Sequence, residues 1–95
     1  MSAYIIFDVE ILDPEIYREY MAQVKPALEA IGGSYLVRGG EHRVYEGDWQ
    51  PHRIVLLELP SLDVWERFYE SDAYQGLKHL REKSSSGRLI GVVGV

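Results

Sequence analysis

Tyr4-Ile5-Ile6-Phe7-Asp8-Val9-Glu10-Ile11 is the stretch on which the fold turns. Its residues alternate: Ile5, Phe7, Val9 and Ile11 share one face, and Tyr4, Ile6, Asp8 and Glu10 share the other. That period of two marks a β-strand with one wholly apolar side, which must be covered by another layer. The cover follows at once. Asp13 can cap a helix, Pro14 fits the first helical position and Glu15 suits the positive helix end. Tyr17, Met21, Val24, Leu28 and Ile31 then recur at helical spacing up to Gly32-Gly33, where glycine can take the left-handed conformation that ends a helix. Pro26 lies inside this stripe, and its missing N–H predicts a kink or division near Lys25.

Further along, Tyr35-Leu36-Val37 and Arg43-Val44-Tyr45 read as two pieces of one long strand bent at Gly39-Gly40. Glu46 to Pro51 reads as a turn. The next strand runs from His52 to Leu59, with Arg53, Val55, Leu57 and Leu59 on one side and His52, Ile54, Leu56 and Glu58 on the other. After Pro60, Ser61 caps a helix striped by Leu62, Trp65, Phe68 and Tyr69, and Ser71-Asp72 caps a further segment carrying Ala73, Tyr74, Leu77 and Leu80. A breaker at Lys83 to Gly87 leads into a last strand from Arg88 to Val93. The order β-α-β-β-α-β is that of an α+β, ferredoxin-like domain spanning residues 1–95. Helices cover one face of such a sheet, so Tyr4, Ile6, Ile54 and Leu56 on the other call for a partner, and a second copy of the chain is expected.

Composition narrows the function classes. With 95 residues there is room for one core, and 46% apolar against 26% charged residues belongs to a folded rather than a disordered chain. The absence of Cys removes disulfides, thiolate metal sites and a cysteine nucleophile. A net charge of −5 with a pI near 5.1 opposes binding to nucleic acid or to an anionic membrane. No apolar run is long enough to span a bilayer, and Met1-Ser2-Ala3-Tyr4 lacks the basic start of a secretory signal, so the expected location is cytoplasmic.

The opening strand, Asp13-Pro14 with Tyr17 and Tyr20, the string Gly32-Gly33-Ser34-Tyr35-Leu36-Val37-Arg38-Gly39-Gly40, the turn Glu46-Gly47-Asp48-Trp49-Gln50-Pro51 and Ser71-Asp72-Ala73-Tyr74 together resemble domain-of-unknown-function family 1330. The resemblance runs over nearly the whole chain. It implies a dimeric α/β barrel, in which two ferredoxin-like sheets close face to face over a cavity. It brings no catalytic residues with it. Members of the wider barrel class include cofactor-free monooxygenases, muconolactone isomerases and haem-degrading enzymes, an analogy of fold and not of site.

Polar residues on the uncovered face are the candidates for chemistry. Asp8 and Glu10 from the first strand and His52 and Glu58 from the third share that face, and a carboxylate beside a histidine can make a general base. Antiparallel pairing of the two strands predicts His52 near Asp8 or Glu10. Arg38, next to Gly39 and Gly40, is a candidate clamp for a ligand carboxylate, the bland alternative being an ion pair with Glu58. Trp49 in a polar turn is a candidate lid or interface plug. The tyrosines at helical spacing read as core.

His42, His52 and His79 have no metal-ligand spacing, and Asp8, Trp65 and His79 match a haem site only loosely, so no cofactor is expected. The third strand lacks the stacking aromatics of an RNA-recognition domain. Phosphate-cradling glycine loops and the hydrolase serine elbow are absent. Two readings stay open: a dimer that binds a small polar or anionic organic molecule, with or without cofactor-free proton transfer or oxygenation, and a non-catalytic module for metabolite sensing or dimerisation.

Overall fold

The computed structural model describes residues 1–95. The chain forms β1 (Ala3–Ile11), α1 (Pro14–Ala30), β2 (Ser34–Arg38), β3 (Ile54–Leu59), α2 (Leu62–Glu70), α3 (Asp72–Ser84) and β4 (Ser85–Val93). The strands make one four-stranded antiparallel sheet in the order β2-β3-β1-β4. This is the ferredoxin-like arrangement, with the second helical region divided at Ser71. The division has a local cause: the Ser71 hydroxyl accepts a hydrogen bond from the Tyr74 N–H at 3.2 Å and starts a new helix. Asp13 and Ser61 cap α1 and α2 in the same way. No helix is long and apolar enough to cross a membrane.

The apolar face of β1 does what its alternation requires. Ile5, Phe7 and Val9 are buried with Val55, Leu57 and Leu59 of β3 beneath Tyr17, Tyr20, Val24 and Leu28 of α1, Trp65 and Phe68 of α2 and Tyr74 of α3. Each fully buried side chain of the size of Ile5 or Leu57 contributes about 1.5–3 kcal/mol. Tyr17, Tyr20 and Tyr74 are core residues, as their spacing predicts, and Tyr69 is partly buried against them. The Tyr20 and Tyr74 hydroxyls hydrogen-bond each other at 3.0 Å, and burial raises both above the ordinary tyrosine value.

Five features differ from those read off the sequence. Helix α1 runs through Pro26 without dividing. Val24 and Leu28, buried on either side of the proline, pin both halves to the sheet, and this packing outweighs one lost backbone bond. Strand β2 ends at Arg38, and Arg43-Val44-Tyr45 lies exposed in the connection to β3. The bulge falls inside β2, between Tyr35 and Val37, rather than at Gly39-Gly40. Gly39 instead ends the strand: with φ +75° it turns the chain away, and its N–H makes the last bond, to the Ile54 carbonyl, at 2.9 Å. Strand β3 begins at Ile54 rather than His52, because the His52 N–H is taken by a carboxylate instead of a neighbouring strand. Finally, β4 follows α3 without a loop. Ser84 is fully buried, and its carbonyl accepts the Leu12 and Asp13 N–H groups at 2.8 and 3.0 Å, which fixes the junction.

Helices cover only the Ile5 side. On the open side, Ile6 pairs in register with Leu56 on β3 and with Ile90 on β4, and Tyr4 pairs with Glu58 and Val92. Val37 of β2 extends this patch beside Leu56. Ile90, Val92 and Val37 are exposed.

Candidate functional site

The site is built on Asp8, one register step beyond the apolar patch. Asp8 pairs with Ile54 on β3 and with Arg88 on β4, so the antiparallel ladder alone sets an arginine beside the carboxylate. The connection from Gly39 to Arg53 leaves edge strand β2, passes the end of β3 and reaches β1. There the Trp49 indole N–H donates to Asp8 Oδ2 at 2.8 Å and the His52 backbone N–H donates to Oδ1 at 3.0 Å. Gly47, at φ +86°, provides the turn that aims Trp49 inward. Arg88 Nε stands 3.8 Å from Asp8 Oδ2, and its guanidinium lies 5.7 Å from the centre of the Trp49 ring. His52 Nε2 is 3.5 Å from Glu10 Oε2, an ion pair whenever the imidazole is protonated.

These residues border an open hollow of about 930 Å³, completed by Ile6, Ile90, Asp48 and Gln50. Asp8 is nearly sealed at its floor with 10% of its side chain exposed, whereas Glu10 and His52 are 48% and 60% exposed. Burial by itself raises the Asp8 carboxyl, but the Trp49 and His52 N–H groups and the charges of Arg88 and His52 together outweigh it and hold the group below its usual range. Both oxygens of Asp8 are therefore engaged, and its chemistry is to anchor the connection. His52 and Glu10 have no such duty and face the hollow.

The depressed Asp8 value sets a pH dependence. A lowered folded-state value contributes stability that is complete above the unfolded carboxyl range, about 3.9, and is lost as pH falls through the folded value. Asp8→Asn is expected to cost about 1.5–3 kcal/mol at pH 7, the scale of a hydrogen bond to a charged group. The gap between the two proteins should begin to narrow below about pH 4 and close only once the pH has passed below the folded value. Urea unfolding at a series of pH values measures it, and a gap that is constant down to acid conditions would show that the charge of Asp8 does not hold the connection.

Of the residues singled out in the sequence, Asp8, Glu10, His52 and Trp49 converge on this hollow. Glu58 lies at the other end of the same face, where its carboxylate accepts the Tyr4 hydroxyl at 3.2 Å. That hydrogen bond, reinforced by the charge of Glu58, raises the Tyr4 hydroxyl above its ordinary value. Arg38 stands apart. It pairs with Val55, whose side chain is in the core, so the bulge in β2 has turned Arg38 toward the helical side. There it lies 5.1 Å from the centre of its own Tyr35 ring, close to Lys25 and Glu29 of α1. It makes no ion pair with Glu58. Gly39 lies under the guanidinium of Arg53, and Gly40 has open space around it. Asp8, Trp65 and His79 do not meet: Trp65 is in the core on the other side of the sheet and His79 is exposed. No three His, Asp or Glu side chains are grouped to hold a metal ion.

Arg88 is the site residue that the sequence pattern left out. Its signal was present, because in a β-α-β-β-α-β order the last strand lies beside the first, and the start of one then meets the end of the other.

Residues 2–95 match the profile of a domain of unknown function, DUF1330. The chain belongs to the DUF1330 family. No curated protein matches it at significant similarity. Among solved structures it is similar to the crystal structure of RPA0582, a protein of unknown function from Rhodopseudomonas palustris, with 18% identity and a TM-score of 0.79 over 99% of this chain and 82% of that one. The crystal structure of methylated RPA0582 gives a TM-score of 0.81 at 16% identity, over 99% and 81% of the two chains. At such identity the likeness is one of fold. In this DUF1330 domain the polar side chains that converge on one open space are those around Asp8.

Proposed function

We propose that the hollow above Asp8 binds a small polar organic molecule, and that His52, oriented by Glu10, moves a proton to or from it without a cofactor. The observation that supports this reading is the meeting of His52, Glu10, Trp49 and Arg88 around one open space on an Asp8 anchor. An imidazole beside a carboxylate is the commonest pair for accepting a proton near neutral pH. Trp49 and Ile6 offer apolar contact, and Arg88 has its terminal nitrogens free to receive a carboxylate. Asp8, Glu10 and Asp48 outnumber Arg88 in the lining, so the charges favour a ligand with donors of its own, such as a hydroxy or amino acid, over a strongly anionic one.

A second copy completes the reading. One chain leaves the hollow open to water, and the patch of Ile6, Leu56, Ile90 and Val92 runs directly into it. A partner sheet laid on this patch would bury the apolar residues and roof the site, strengthening every charge interaction inside.

Titration with small 2-hydroxy, 2-amino and 2-oxo monocarboxylates, followed through the amide and indole resonances of the protein, tests the binding. The Trp49 indole N–H and the His52 amide should shift in a saturable way, ahead of any resonance in α2 or α3. Shifts that avoid both groups for every compound would remove the hollow as the ligand site.

A further inference from the structure

On the opposite side of β4 lies a second hollow, of about 440 Å³, between α3 and the start of the strand. Lys78 and Arg81 of α3, Tyr69 of α2 and Leu89 of β4 line it. Three cations border it; Arg88 pairs with Asp8, whereas Lys78 and Arg81 are placed by aromatic rings and not by acids. The Lys78 ammonium lies 5.1 Å from the centre of the Tyr69 ring, and the Arg81 guanidinium lies 5.8 Å from the centre of the Phe7 ring. Neither is among the ion pairs of the molecule, although the chain carries 15 acidic residues against 10 Lys and Arg. Glu82 also borders the hollow but pairs with neither cation. Asp8, the other carboxylate at its edge, is committed to Trp49 and His52 on the far side of the sheet. In addition, the Nε–H of Arg81 is sealed from solvent and has no hydrogen-bond acceptor. A desolvated charged donor without an acceptor is costly and uncommon in a folded protein.

We propose that this hollow is an oxyanion site, in which a carboxylate or phosphoryl group is held between the Lys78 ammonium and the Arg81 guanidinium. The ligand supplies the negative charge that neither cation finds within the chain. The stacking of each cation on a ring already fixes its direction, so little side-chain freedom is lost on binding. The two hollows meet at the start of β4, where both are bordered by Asp8, Ser86, Gly87 and Arg88, but the unpaired cations here come from α3 and their rings from β1 and α2. It stands or falls independently of the proton-transfer reading.

The test is titration of the whole protein with inorganic phosphate and, separately, with acetate, at an ionic strength held constant with sodium chloride. The Arg81 Nε–H resonance and the amides of residues 78 to 89 are observed. The expected result is a saturable shift of the Arg81 Nε–H and of the amides of residues 78 to 89 with at least one anion, the affinity read from the amides falling about tenfold or more in Lys78→Gln and in Arg81→Gln. Saturation by phosphate alone identifies a phosphoryl site, and saturation by acetate identifies a carboxylate site. Lys78 is the milder variant, because Arg81 also packs on Phe7, and a Lys78→Gln protein that binds both anions as the parent does would overturn the proposal. Linear, non-saturating shifts with both anions would overturn it equally.

Discussion

Leu56→Asp is expected to leave the protein folded and monomeric. Leu56 lies in the middle of the open face, between Val37 on one side and Ile6 on the other, with Ile90 one strand beyond. In a lone chain position 56 is only partly buried, so the new carboxylate keeps contact with water. In a dimer closed over this patch it would be buried without a partner in each copy, a penalty of several kcal/mol, and every ~1.4 kcal/mol weakens association tenfold. Sedimentation equilibrium at low micromolar concentration should show a dimer for the parent and a monomer for the variant. Ile90→Glu provides the control for folding: Ile90 is 61% exposed, so it contributes least to the monomer and should dissociate the dimer with the fold intact. If both variants sediment as the parent does, the second copy does not sit on this face. If the parent itself is a stable folded monomer, there is no second copy at all. Because the same patch borders the hollow, the monomeric variants should also bind small ligands less well while the Asp8 anchor persists, which links assembly to function in a single series.

How far the sequence could be read depended on whether a feature was local or set by the path of the chain. The period of two in Tyr4 to Ile11 requires no context, and it fixed both the buried face and the open one. The caps at Asp13, Ser61 and Ser71 were equally local, each a side chain meeting an N–H three residues on. Proximity of His52 to Asp8 and Glu10 followed from antiparallel pairing, since register is a consequence of which faces are apolar. The bond from Trp49 to Asp8 did not follow. It depends on the course of the whole connection from Gly39 to Arg53, which has no regular structure to constrain it. The same is true of Arg38: a single extra residue in β2 exchanged the faces of everything after it, and no residue in Tyr35-Leu36-Val37 announces a bulge. Arg43-Val44-Tyr45 has the composition of a strand and no strand to pair with, because β3 begins only at Ile54.

His52→Gln carries the largest expected effect on activity, about 10²-fold or more in proton transfer, the usual contribution of a positioned acid–base group. Glutamine keeps the size and hydrogen-bonding character of the side chain but cannot take up a proton near neutral pH. The anchor should survive, because Asp8 receives the backbone N–H of residue 52, which the substitution leaves in place. Loss of the exposed pairing with Glu10 should cost less than about 1 kcal/mol of stability. The readout requires no knowledge of the natural substrate: in deuterium oxide, a general base in the hollow exchanges the hydrogen on the carbon next to the carbonyl of a bound 2-oxo acid, and proton NMR follows the loss of that signal. The parent should accelerate exchange over buffer, with His52→Gln falling back toward it, while the saturable shift of the Trp49 indole shows that the ligand still binds. Glu10→Gln should fall less far, since in the proposed mechanism Glu10, 3.5 Å from His52 Nε2, would orient the imidazole without receiving the proton itself. An equal exchange rate in parent and His52→Gln would assign the hollow to binding alone. The arrangement around Asp8 would then be that of a receptor, with Trp49 and Arg88 as its recognising groups and the imidazole as one polar contact among several.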